Sequence, residues 1–284
     1  MIVTYAGVGG GQLLLNLANP GEYPLFILTS VLISVAVVPL LLSAGSPPKY
    51  YESVNISLLA VYRLSPLGIV SMFSVGLVTA AFFALGPVYG QRIGLDVEYI
   101  SYFMTASVVG TVVLQAPIGA LSDKFDRRIV LTITTLLTAV AAVLCVFATQ
   151  VSTNLLLIAV ALFGGLALPL YSVCIAYTND HLNPNQMIAA SGALVLTSGL
   201  GAVVGPILIA SIMDYYNEQA LFWSIAAVHT LTGLFAVYRM IVSKAVPLEE
   251  QGPSTATAVH PSGSAIESTQ WYSREEAIED STPD

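Results

Sequence analysis

The sequence predicts an all-α integral membrane protein with eight transmembrane helices, and three observations carry that expectation. Of 284 residues, 56% are hydrophobic and only 9% charged, and the mean hydropathy is +0.80. A chain that folds in water covers its apolar core with polar side chains, and this composition lacks the material for such a cover. Crossing a hydrocarbon layer about 30 Å thick takes about 20 mostly apolar residues per helix, and runs of that kind recur along most of the chain. These runs are apolar on nearly all sides, whereas the strands of a membrane β-barrel alternate apolar and polar residues.

In chain order the segments lie at about 2–18, 24–42, 65–90, 98–121, 129–149, 153–178, 186–213 and 219–242. Their prolines and glycines exclude none of them, because neighbouring helices satisfy the backbone groups that such residues free. The first segment is short and holds Gln12 and Asn16. A cleaved signal is the competing reading. No basic residue precedes the apolar run, however, and Leu17-Ala18-Asn19-Pro20 makes a poor cleavage site.

Charge placement sets the expected orientation. The links after the second, fourth, sixth and eighth segments share a side with the N-terminus and carry Lys49, Arg63, Lys124, Arg127, Arg128, Arg239 and Lys244. The opposite links hold Arg92 beside Asp96, Glu98, Asp214 and Glu218. This asymmetry places both termini in the cytoplasm of a multi-pass protein of the inner (plasma) membrane. The net charge of −8 reflects an acidic tail, residues 245–284, which is too polar to form a core and is expected to be disordered. It therefore says nothing about substrate charge, and nothing in the composition points to nucleic acid.

Enzymatic chemistry finds no support. The stretch AGVGGGQ at 6–12 lacks the lysine of a phosphate loop and follows no strand, so close helix packing explains it better. Cys145 and Cys174 lie inside helices as packing residues, and His181, His229 and His260 are scattered. No metal site and no cofactor are expected. His229, near the middle of the last segment, is the one imidazole inside a span. It is a candidate for proton coupling or, alternatively, for a hydrogen bond to a neighbouring helix.

The stretch PIGALSDKFDRR, 117–128, crowds Asp123, Lys124, Asp126, Arg127 and Arg128 into a tight hairpin between the fourth and fifth segments. A topology signal alone explains Arg127 and Arg128, but not two aspartates and a glycine at fixed spacing. Gly119 is expected to let two helices approach closely, and Asp123 to pair with Arg127 across one turn or with a facing helix N-terminus. Gln115, two residues before Pro117, either satisfies the carbonyl that the proline frees or joins this cluster.

The pattern Gly119-x-Leu121-x-Asp123-Lys124-x-x-Arg127-Arg128 resembles the loop motif GxLaDrxGRrk of the major facilitator superfamily (MFS), with Asp126 standing where the family usually has glycine. The stretch 168–196, LPLYSVCIAYTNDHLNPNQMIAASGALVL, resembles the bacterial YcaD-like branch. Taken as the copy of the motif between the eighth and ninth helices, the resemblance makes the eight segments helices five to twelve of the MFS fold, with the first four absent. Residues 1–42 would then close an N-terminal bundle, 43–64 link the bundles, and 65–244 form the C-terminal six-helix bundle ahead of the tail at 245–284.

The resemblance implies a secondary transporter that works by alternating access in the lipid bilayer on an unidentified small molecule. The hairpin would be a gating latch, with Asp123 held by Arg127 and by the start of the first segment near Met1. Cavity-facing candidates are Ser74, Thr79, Tyr102, Thr105, Tyr171 and Ser198. Gly201 and Gly205, four apart and followed by Pro206, suit close packing and a bend in the seventh segment. The alternative is a non-transporting membrane protein or half-transporter relic that acts through a partner chain.

Overall fold

The structure is a computed structural model that describes residues 2–19, 21–42 and 57–242. Most of the expected inter-bundle link and the acidic tail lie outside the described residues. The described helices are α1 (Ile2–Leu13), α2 (Pro24–Leu42), α3 (Leu58–Leu64), α4 (Pro66–Arg92), α5 (Val97–Lys124), α6 (Arg127–Val151), α7 (Thr153–Ala167), α8 (Leu170–Asn179), α9 (Pro184–Tyr215) and α10 (Ala220–Val242).

Their starts follow from short polar residues that accept the first free backbone N–H groups. Ser57 accepts from Ala60, Asp96 from Tyr99, and Ser152 from Leu155. α4 and α9 carry Pro66 and Pro184 in their first turns, where a missing N–H costs nothing. At α9, Asn183 and Gln186 exchange the two bonds of a capping box.

The packing is inverted relative to a protein folded in water. On α6 the buried face carries Thr132, Thr135, Thr138, Ala142 and Cys145, while Ile133, Leu137, Val140, Leu144 and Phe147 are exposed. α9 exposes Leu196, Leu200, Val203 and Ile207. Exposed rings stand at both ends, with Tyr99, Tyr102, Tyr215 and Trp223 at one and Tyr62 and Tyr238 at the other. Apolar sides facing outward between aromatic ends are what hydrocarbon and its two interfaces select.

Between such helices the hydrophobic effect gives no drive, and van der Waals contact at small residues holds the bundle. α4 packs most extensively on α9, α5 on α7, and α6 on α10 and α7. At each of the first two contacts glycine lets the backbones touch. A methyl group at Gly110 would run into the Ala161 carbonyl, and one at Gly164 into the Ser107 carbonyl. Across α4 and α9, Gly76 lies against Ser198, Gly201 against Phe73 and Gly205 against Leu77, all at backbone carbonyls. Pro206 continues α9 directly after Gly205. Near one end of the bundle Phe103 and Phe222 pack on Tyr89, whose hydroxyl bonds Thr149 Oγ1 at 2.6 Å, and Phe82 and Phe163 pack on Phe222 in turn.

Among the described residues, 6 helices are long and apolar enough to cross a membrane: α4, α5, α6, the α7–α8 pair, α9 from Ala189, and α10. The first expected segment is instead a helix of 12 residues followed by a 3-10 turn at Leu14–Asn16. At 1.5 Å per residue α1 is about 18 Å long, too short to cross by itself. It runs antiparallel along α5, with Ser101 Oγ donating to the Gln12 carbonyl at 2.6 Å and Tyr5 packed against Val108. The second expected segment, 24–42, is the helix α2 of 19 residues, and it is exposed along nearly all of its described length. The single segment expected at 153–178 is broken midway at Leu168–Pro169.

Gly110→Ala is expected to open the α5–α7 contact, an overpacking of about 1–3 kcal/mol, and to lower the thermal midpoint of detergent-purified protein by several degrees. Gly119→Ala, which has nothing within 4 Å of the added carbon, should leave the midpoint unchanged.

Candidate functional site

Two features sit where function is expected, a charged cluster at one end of the bundle and a cavity at mid-span. The cluster is built on the α5–α6 hairpin. Asp126 is the N-cap of α6; its carboxylate accepts from the Arg128 backbone N–H at 2.9 Å and from Arg128 Nη2 at 3.1 Å. The acid thus satisfies a helix start that a glycine would leave to water. Arg127 points inward. It donates through Nη1 to Asp180 in a short ion pair, to the Ala176 carbonyl at 3.4 Å, and through Nη2 to Asp123 at 3.4 Å. The side chains of Arg127 and Asp180 are both 3% exposed, whereas that of Asp123 is 40% exposed. Lys124 is exposed in the last turn of α5, where a cation opposes the negative helix end.

Asp180 caps the end of α8, so the buried pair ties the α5–α6 hairpin to the α8–α9 link. Beside it His181 Nδ1 lies 2.9 Å from the Tyr177 carbonyl, with its ring edge-on to Tyr177. Burial pushes the imidazole pKa below its usual value, and the bond to Tyr177 acts in the opposite direction.

Two expectations for the hairpin need correction. Among the described residues Gly119 touches no neighbouring helix, since nothing lies within 4 Å of a carbon added there. The close approaches on α5 fall at Gly110 instead, where α7 crosses. The helix start expected to face Asp123 is also differently placed. Met1 lies outside the described residues, and the pairing of Gln12 with Ser101 and of Tyr5 with Val108 puts Ile2 across from the middle of α5. Asp123 lies about 18 Å farther along the helix, at 1.5 Å per residue.

The cavity lies between α4 and α9, at the height of the break between α7 and α8. Its volume is about 350 Å³, at the small end of sites that hold drug-sized molecules, about 300–1,000 Å³. α4 contributes Val75, Gly76, Thr79, Ala80 and Phe83; α9 contributes Val195, Ser198, Gly199 and Ala202; Leu168, Tyr171 and Tyr5 complete the wall. Pro169 has no N–H to give the carbonyl four residues earlier, so the helix breaks there. α8 restarts at Leu170 and brings Tyr171 to the cavity.

Of the six cavity candidates, Thr79, Tyr171 and Ser198 line this space. Ser74 instead faces α10, where its hydroxyl accepts from Thr232 at 2.7 Å and donates to the Val70 carbonyl. Tyr102 is 37% exposed and donates to Glu98 at 2.7 Å. Thr105 lies on α5, which contributes nothing to the cavity wall, and its buried hydroxyl has no partner among the described residues. His229 is 1% exposed on the inner face of α10; it does not line the cavity, and neither ring nitrogen finds a partner among the described residues. Gln115 is buried in α5, 6% exposed, one turn short of Gly119.

Sequence reasoning missed Asp180, the mid-span break and the part played by Tyr5. Pro169 inside an apolar run was a usable signal for the break. Asp180 stands 53 residues from Arg127, and no local pattern pairs them. Tyr5 gave no signal at all, being one ring in a short glycine-rich helix.

Removing one partner of a buried ion pair strands the other, typically at about 3–5 kcal/mol. Arg127→Met is therefore expected to lower the thermal midpoint strongly. Arg127→Met combined with Asp180→Leu should recover most of that loss, as measured by thermal unfolding of purified protein.

Comparison with known proteins agrees with this arrangement. The family model described as Major Facilitator Superfamily matches residues 64–271. An uncharacterized MFS-type transporter YcaD of Escherichia fergusonii is 26% identical over 230 residues, covering 80% of this chain and 59% of the relative. The YcaD of Salmonella arizonae is 28% identical over 232 residues with the same coverage, and that of Escherichia coli strain SE11 is 26% identical over 230. The chain thus spans 59% of the length of these relatives. With this match across the helices that carry both the charged cluster and the cavity, the chain belongs to the Major Facilitator Superfamily.

Proposed function

We propose that this chain is the larger part of a secondary transporter that moves a small molecule across the bacterial inner membrane by alternating access. The observation that carries this reading is the mid-span cavity, walled by two helices in glycine contact and by a broken third. Solute sites of transporters favour discontinuous helices near the bilayer midplane, where irregular backbone lines a cavity instead of lipid.

In this reading α1 and α2 are the ends of a first bundle, and α4 to α10 form the second, corresponding to helices seven to twelve of the fold. Support comes from the coverage of the relatives and from the exposed length of α2, which meets nothing within the described residues that would bury it. The basic end, with Arg63, Lys124, Arg127, Arg128 and Arg239, faces the cytoplasm together with both termini. Gly119, Asp123, Lys124, Arg127 and Arg128 act as the latch of that end. Arg127, anchored on Asp180, presents its other arm to the half-exposed Asp123. In this reading Asp123, paired with Arg127, engages a facing element in one state and releases it in the other. His229 is the group inside a span available to exchange a proton.

The test compares whole-cell metabolite profiles of a strain expressing the chain with those of a strain carrying the Asp123→Asn variant. Wild type should change the distribution of at least one small molecule across the membrane. The variant should reach the membrane at normal abundance and lose most of that change. A wild-type profile identical to the empty strain would favour a protein that acts through a partner chain instead. Full activity in Asp123→Asn would remove the latch.

A further inference from the structure

We infer that the cavity takes an uncharged, predominantly apolar solute bearing a hydrogen-bonding group, and that the Tyr171 hydroxyl binds that group. The inference rests on the transporter reading for its purpose, but its chemistry stands on the cavity alone.

Among the described residues the wall contains no acid, no base and no histidine. The same holds for the whole inner length of the helices around it. Residues 66–91, 99–122, 153–178 and 186–213 contain no Asp, Glu, Lys, Arg or His. A charged solute at mid-membrane depth loses its water and needs a fixed counter-charge to replace it. These helices offer none. The charges of the bundle sit at its two ends, in the Arg127–Asp180 cluster and in the Arg92–Asp214 pair at 2.5 Å. His229 lies on the buried face of α10, away from the wall.

What the wall offers is apolar surface and four hydroxyls, on Tyr5, Thr79, Tyr171 and Ser198. They are not equivalent. Serine and threonine inside helices can turn their hydroxyls back to the carbonyl one turn earlier, as Ser74, Thr111 and Thr197 do in this bundle. A tyrosine hydroxyl stands too far from its own backbone for that. The Tyr171 oxygen is buried and has no hydrogen-bond partner among the described residues. A buried hydroxyl without a partner is costly, and most such groups in native proteins are satisfied. Placed just past the break at Leu168–Pro169, it is the polar group of the wall that a solute would complete.

The test measures binding to the full chain in lipid nanodiscs with a matched set: 4-phenylbutan-1-ol, 4-phenylbutylammonium, 4-phenylbutyrate and butylbenzene. Ala80→Trp, which fills the cavity, separates cavity binding from partition into lipid. The alcohol should bind saturably to wild type and not to Ala80→Trp, while the ammonium and the carboxylate bind at least tenfold more weakly. Tyr171→Phe should weaken the alcohol several-fold and leave butylbenzene unchanged. Equal or tighter cavity-dependent binding of either ion, or no saturable binding by the alcohol, overturns the inference. So does a Tyr171→Phe variant that binds the alcohol as wild type does. Expected binding without any solute flux would overturn the transporter reading and leave the cavity chemistry standing. Flux confined to charged solutes would do the reverse.

Discussion

A backbone in hydrocarbon has no water to bond its N–H and C=O groups, so every span must be helical or must border a cavity. Helices that satisfy themselves in this way gain nothing from burying more apolar surface, since lipid is as apolar as their neighbours. Contact must come from shape. In this bundle shape is supplied by glycine, at Gly110, Gly164 and Gly165 between α5 and α7, and at Gly76, Gly201 and Gly205 between α4 and α9. The remaining features depend on those two contacts. They bring Thr111 within 2.9 Å of the Gly164 carbonyl and set α4 and α9 at the spacing that defines the cavity wall.

The same constraint explains where polar groups are found. Threonines are turned inward on α6, where Thr132 and Thr138 bond carbonyls of their own helix, and large apolar side chains face out. Ionised groups occupy the ends. Arg127 and Asp180 are buried, but they are buried together and at an end, where the helix terminus of α8 and the half-exposed Asp123 add further electrostatic support. Among the described residues the one mid-span break in a helix falls at Leu168–Pro169, beside the cavity. Small residues, broken backbone and an uncharged wall therefore coincide at one place for one physical reason.

Much of this was legible in the sequence, because composition and run length are direct consequences of the solvent. The membrane class, the spans from 65 onward, the charged hairpin and the family could each be read from residues such as Gly119, Asp123 and Arg127. Three of six cavity candidates fell on the wall, since the chain position of a helical residue fixes its height but not its direction. Ser74 and Thr79 share α4 at adjoining depths, yet one faces α10 and the other the cavity. The ends of elements were harder. The first segment is short in the sequence and holds Gln12 and Asn16; its helix stops at Leu13, and the Gln12 carbonyl and the Asn16 side chain turn to Ser101. Asp180 was invisible as a partner because an ion pair across 53 residues leaves no periodic trace.

Transport through this bundle requires the space between α4 and α9 to be open to a solute and not to lipid. α9 presents Ser198 to that space and Ile207, 67% exposed, to the opposite side. Both native cysteines are buried, so introduced thiols can be labelled over a low background. Ser198→Cys and Ile207→Cys should be treated in native membranes with a membrane-impermeant maleimide applied from each side. Labelling of Ser198→Cys from at least one side, with Ile207→Cys left unmodified, is the predicted result. Labelling of Ile207→Cys with Ser198→Cys unreached would mean that the cavity is closed to water and that solute does not pass between these helices.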